Sequence, residues 1–75
     1  MNKEHIDAVS IDGKLITLTK GKTPSYEECV VVHYQGTQGW GVSMNILPAA
    51  MPLFLDNKNM QREFIAFAKD KLGEQ

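Results

Sequence analysis

Alternating apolar and polar residues fill most of the chain up to Leu47, and a 3.6-residue period takes over near the C-terminus. The sequence therefore reads as strands followed by a helix. In "HIDAVSIDGKLITLTK" two alternating runs flank Asp12-Gly13, the pair best suited to a two-residue turn with positive φ at both central positions. Closing the turn there sets Ile11 opposite Lys14, Val9 opposite Ile16 and Asp7 opposite Leu18. Val9, Ile11, Ile16 and Leu18 then make the core face, while Ile6, Ala8 and Ser10 oppose Thr19, Thr17 and Leu15 on the other. "GKTPSYEE" breaks the pattern with Gly21, Pro24 and Ser25 and reads as a connection.

A second hairpin follows in "ECVVVHYQGTQGWGVSMNIL". With Gly36-Thr37-Gln38-Gly39 as the loop, Gln35 pairs with Trp40, His33 with Val42, Val31 with Met44 and Cys29 with Ile46. This register puts Cys29, Val31, His33, Val42, Met44 and Ile46 on the core face. It leaves Val30, Val32 and Tyr34 on the opposite face, beside Asn45, Ser43 and Gly41. Pro48 and Pro52 exclude a central strand or an unbroken helix next, so an irregular crossover is expected, with one helical turn near Met51 to Leu55. Asp56 or Asn57 is the expected N-cap of a final helix in which Met60, Phe64, Phe67, Ala68 and Leu72 recur at helical spacing, with Ile65 beside them. Lys69 and Lys71 suit its negative end, and Gly73 its C′ position. A helix of about 16 residues spans roughly 24 Å at 1.5 Å per residue, enough to cover one face of a sheet. The expected fold is a single α+β domain over 1–75, a four-stranded antiparallel sheet of two consecutive hairpins packed on one face by a C-terminal amphipathic helix.

Composition adds a constraint. Hydrophobic residues are 43% and charged residues 23% of a 75-residue chain, which is a globular balance. A domain of this size buries only about 60% of its unfolded surface and commonly leans on disulfides, a metal or self-association. One cysteine forms no internal disulfide, and one cysteine with two scattered histidines matches no zinc motif, so self-association is the expected supplement. A net charge of -1 argues against a general polyanion binder. The first ten residues hold no apolar run of the length a signal peptide uses, and nothing reaches a membrane span. A lone thiol without such a signal is expected in the cytoplasm.

The candidate chemistry is sparse. Cys29 and His33 are four apart, which on a strand separates their α-carbons by about 13 Å, too far for a thiolate–imidazole pair. Gly36, Gly39 and Gly41 join two strands, whereas a phosphate-cradling loop opens a helix. No convergent acid–base set, metal site or cofactor site emerges, and the chain is expected to be non-catalytic. The apolar surplus is the stronger signal, because a helix covers only one sheet face. Val30, Val32, Tyr34, Trp40, Met51, Leu53 and Phe54 are therefore expected to bind a protein partner or a second copy, through the open sheet face and the Pro48–Leu55 segment. Such a chain would be a homodimer or a small adaptor or inhibitor. The competing expectation is a nucleic-acid module stacking bases on Tyr34 and Trp40, with Lys20 and Lys22 on the phosphates.

Overall fold

In the computed structural model, which describes residues 5–74, one antiparallel sheet carries a layer of helix on a single face. The strands β1 (His5–Ile11), β2 (Lys14–Lys22), β3 (Glu28–Gln35) and β4 (Gly41–Ile46) lie side by side in chain order. A 3-10 turn (Pro48–Ala50) leads into a short helix α1 (Met51–Asp56) and then α2 (Lys58–Leu72). The shortest dimension, 18 Å, is that of a sheet with one helical layer.

The first hairpin takes the expected form. Asp12 (φ 53°) and Gly13 (φ 76°) supply the two left-handed residues, and Ile11↔Lys14, Val9↔Ile16 and Asp7↔Leu18 pair as read from the sequence. One departure lies at the start of β1, where the ladder shifts between His5 and Asp7. An extra residue in one strand rotates what precedes it to the other face. Ile6, expected outside, thereby packs against the core.

The second hairpin departs more. Gly36 N–H donates to the Trp40 carbonyl at 2.7 Å, closing a three-residue loop in which Gly39 (φ 85°) takes the left-handed third position. The register is accordingly Gln35↔Gly41, Tyr34↔Val42, Val32↔Met44 and Val30↔Ile46, one residue from the expected one. With a side-chain period of two, that single step exchanges the faces. Val30, Val32 and Tyr34 lie in the core, and Cys29, Val31 and His33 lie on the other side, with Ser43 and Asn45. The pairing with β2 agrees, because Ile16↔Tyr34 and Leu18↔Val32 set four core residues together.

The loop between β2 and β3 repeats this geometry at greater cost. Thr23 N–H donates to the Glu27 carbonyl and Tyr26 N–H to the Thr23 carbonyl, and the residue in the left-handed position is Tyr26 (φ 66°). Its side chain is 83% exposed, so packing does not offset the backbone strain. Tyr26→Gly should therefore stabilise the fold by about 1 kcal/mol, read as a higher urea midpoint at unchanged m-value.

Helix α2 starts as expected at Asn57, whose side-chain oxygen accepts the Met60 N–H, and ends at Gly73 (φ 73°) in the left-handed C′ conformation. Its buried stripe is Gln61, Phe64, Ile65 and Ala68. Phe67, expected in the stripe, sits on its margin, half exposed beneath the Lys71 ammonium. Gln61 is the buried polar residue, and its amide N–H groups donate to the carbonyls of Phe54 and Leu55. It thus satisfies acceptors left over at the end of α1. Two ties fix the direction of α2 across the sheet. Arg62 Nε donates to Asp12 Oδ2 at 3.0 Å near its start, and Thr37 N–H donates to Glu74 Oε2 at 2.9 Å beyond its end. The Arg62 hydrogen bond holds the Asp12 carboxyl below its ordinary range, although both side chains are exposed and such a pair contributes little.

Candidate functional site

The expected partner-binding residues divide into two groups. Val32 has no exposed surface and Phe54 has 1%, and Val30 and Tyr34 are buried with them in the core beneath the helices. These four are unavailable to a partner, which corrects the assignment of Val30, Val32 and Tyr34 to an open face. Phe54 meets Phe64 edge to face, with centroids 6.3 Å apart at 78°, and anchors α1 to α2. Met51 is half buried and packs against the core. Trp40 and Leu53 are exposed, at 73% and 60%. They stand apart, Trp40 at the entry to β4 and Leu53 on α1, a helix whose last residues share a groove with Val9 and Ile11 of β1. Leu47, absent from the expected set, is 72% exposed directly after β4.

The nucleic-acid set does not assemble. Tyr34 is buried under the helices. Lys22 pairs with Glu28 at the first residue of β3, whereas Trp40 follows its last, so the two lie at opposite ends of the sheet. Lys20 and Lys22 instead border a cavity of about 470 Å³ with Ile6, Val30 and Met51.

The open sheet face carries a directed chain of hydrogen bonds. Gln35 Nε2 donates to the Trp40 carbonyl at 3.1 Å, and a carbonyl only accepts. Gln35 Oε1 therefore faces His33 Nε2, 3.0 Å away, and that nitrogen carries the proton in the neutral ring. His33 Nδ1 is then the acceptor for the Ser43 hydroxyl at 2.7 Å. The ring lies over Gly41, where a β-carbon would collide with it. The chain fixes the tautomer and ties β3 to β4. Cys29 stays out of it, buried four residues away on the same strand. Among the described residues no three His, Cys, Asp or Glu side chains converge on a metal-sized site. The side chain of His5, the other histidine, lies outside the described residues.

The two edges of the sheet differ. In β1 the closing pair Ile11↔Lys14 directs the backbone groups of Ala8 and Ser10 outward, by the alternation of an antiparallel ladder. Asp7 Oδ1 accepts the Ala8 N–H at 2.8 Å, and the irregularity beside Asp7 bends the strand. A bulge and an edge charge are the usual means of blunting an edge. In β4 the Gly36–Trp40 bond sets the alternation, so Val42, Met44 and Ile46 bond to β3 while Gly41, Ser43 and Asn45 present their N–H and C=O groups outward. All three are exposed, and β4 contains no charge, no proline and no register shift. A signal for this edge stood in the sequence, since no Asp, Glu, Lys or Arg occurs from Cys29 through Leu55.

Compared with protein-family models, with curated proteins and with solved structures, the chain matches none. No helix among the described residues is long and apolar enough to cross a membrane.

Proposed function

We propose that the chain is a non-catalytic protein–protein interaction module that docks through the β4 side of its sheet. The observation that carries this reading is the bare edge of β4, uncharged along its length and flanked by exposed Trp40 and Leu47. Its backbone donors and acceptors offer directional pairing, and the two apolar side chains offer contact area at either end. A partner of matching chemistry presents an uncharged extended segment, bound by strand addition. The lone thiol of Cys29 suits a reducing cytoplasm, where we place the module. An enzymatic role has weaker support, because the Ser43–His33–Gln35 chain ends on a backbone carbonyl rather than on an acid.

Capture of partners by the immobilised chain tests the reading. Leu47→Glu and Trp40→Glu should each reduce recovery at least tenfold, while Phe67→Glu, exposed on α2, should leave it unchanged. Equal recovery by all three variants refutes the β4 side as the binding surface.

A further inference from the structure

The residues around Met44 nearly repeat when read outward in both directions. Ser43 and Asn45 are both small and polar, Val42 and Ile46 are both β-branched and apolar, and Gly41 and Leu47 pair the smallest side chain with a large one. A two-fold axis through Met44, normal to the sheet, brings these pairs together across two antiparallel copies of β4. We propose that the chain self-associates in this way, with Ser43 opposite Asn45 of a second copy and Met44 opposite its own counterpart, giving one continuous eight-stranded sheet. The inference rests on the β4 side being the binding surface and names its occupant.

Three observations favour a second copy. First, the outward backbone groups belong to Gly41, Ser43 and Asn45, and the Ser43–Asn45 register joins donors to acceptors on both sides of the axis. Second, Val42, Met44 and Ile46 all point to the helix-covered face yet stay half buried, because β4 has no neighbour beyond it. The two-fold joins them to Ile46, Met44 and Val42 of the second copy, so both cores extend into one another. Third, like charges opposite one another destabilise cross-strand pairs, and a two-fold brings a charge close to its axis beside its own counterpart. Between Cys29 and Leu55 there is none to meet. At β1 the Ala8 donor is already taken by the Asp7 carboxylate, so the same pairing is disfavoured there.

Sedimentation equilibrium of the whole chain between 5 µM and 1 mM, with disulfide trapping, tests the proposal. The wild-type chain should approach twice its 8.4 kDa mass as concentration rises, while Trp40 emission shifts to the blue. Asn45→Pro removes an outward N–H without touching the ladder to β3. It should keep the far-UV circular dichroism of the wild type and remain monomeric. Asn45→Lys should do the same and serves if the proline variant unfolds. In a Cys29→Ala background, Met44→Cys should cross-link under copper–phenanthroline, because facing residues of a non-hydrogen-bonded pair lie about 4.5 Å apart at Cα. Ser43→Cys, offset from its own counterpart, should not. A wild-type chain still monomeric at 1 mM, a dimer that survives Asn45→Lys, or cross-linking through Ser43→Cys alone overturns the proposal. If a monomeric chain still captures a partner in a Leu47-dependent manner, the second copy is excluded and the β4 interaction surface stands.

Discussion

Val32→Asp should abolish folding at neutral pH, while Val31→Asp, one residue earlier, should leave a folded chain. Val32 has no exposed surface, faces Leu18 on β2 and Met44 on β4, and lies under the helical layer. An ionised carboxylate there has no partner, and its desolvation together with lost packing costs several kcal/mol. A 75-residue domain has roughly 4–11 kcal/mol in total, at about 0.05–0.15 per residue. Burial raises the pKa of the introduced carboxyl in the folded state above its unfolded value. A group shifted in that direction favours folding below the unfolded pKa and loses that contribution as pH rises through the folded one. The variant should therefore be more nearly folded near pH 4 than near pH 7. Val31, half buried on the open face, lets a carboxylate reach water. Far-UV circular dichroism and amide dispersion of both variants, at both pH values, check the outcome. A folded Val32→Asp with an unfolded Val31→Asp would mean that the strand presents its other face to the core.

That pair of variants bears on how much of the molecule could be read from its sequence. The first hairpin was legible from Asp7 to Leu18, because Asp12-Gly13 allows one turn and the turn fixes the register, but the shift that brings Ile6 to the core was not. The terminal helix was legible from Asn57, Gly73 and the Phe64–Ala68 spacing. The second hairpin was not, and the fault lay in loop length. Gly36 and Gly39 bracket "GTQG" symmetrically and suggest a four-residue loop, but only Gly39 takes a left-handed conformation, while Gly36 belongs to the closing pair. Hydrophobic pattern alone could have decided it, because the observed register sets Val30, Val32, Tyr34, Val42, Met44 and Ile46 inside and Ser43, Asn45, His33 and Gln35 outside. The alternative shares the apolar groups between faces. Alignment against β2 would have decided it too, since Ile16 and Leu18 were already placed in the core.

The candidate site was less legible for the same reason. Its backbone groups belong to whichever strand ends at the sheet margin, and strand order is a property of the assembled sheet. What the sequence did hold was the absence of charge from Cys29 through Leu55 and the near-symmetry around Met44. Neither has a meaning until β4 is known to be an edge. Conversely, the apolar surplus that pointed to Val30, Val32 and Tyr34 as binding residues was the core itself, read one residue out of register.

Phe54→Ala should cost about 3–5 kcal/mol, enough to remove most of the stability of the domain. The segment from Pro48 to Leu55 carries two opposed kinds of side chain within one turn. Phe54 points inward, closed over by the helical layer, with its ring edge-to-face against Phe64. Leu53, its neighbour, points to solvent. A six-residue helix has no stability of its own, so α1 holds its place through what it buries and through Gln61. Truncating Phe54 removes the ring contacts and leaves a void between α1 and α2. The carbonyls of Phe54 and Leu55 then lose the fixed geometry in which Gln61 reaches both, and a buried amide without partners adds its own penalty. Leu53→Ala, by contrast, should shift stability by less than about 0.5 kcal/mol, as exposed substitutions do. Urea unfolding of the two variants, followed by circular dichroism, separates them. A midpoint for Phe54→Ala close to that of Leu53→Ala would mean that α1 is not part of the core, and that the sheet is covered by α2 alone.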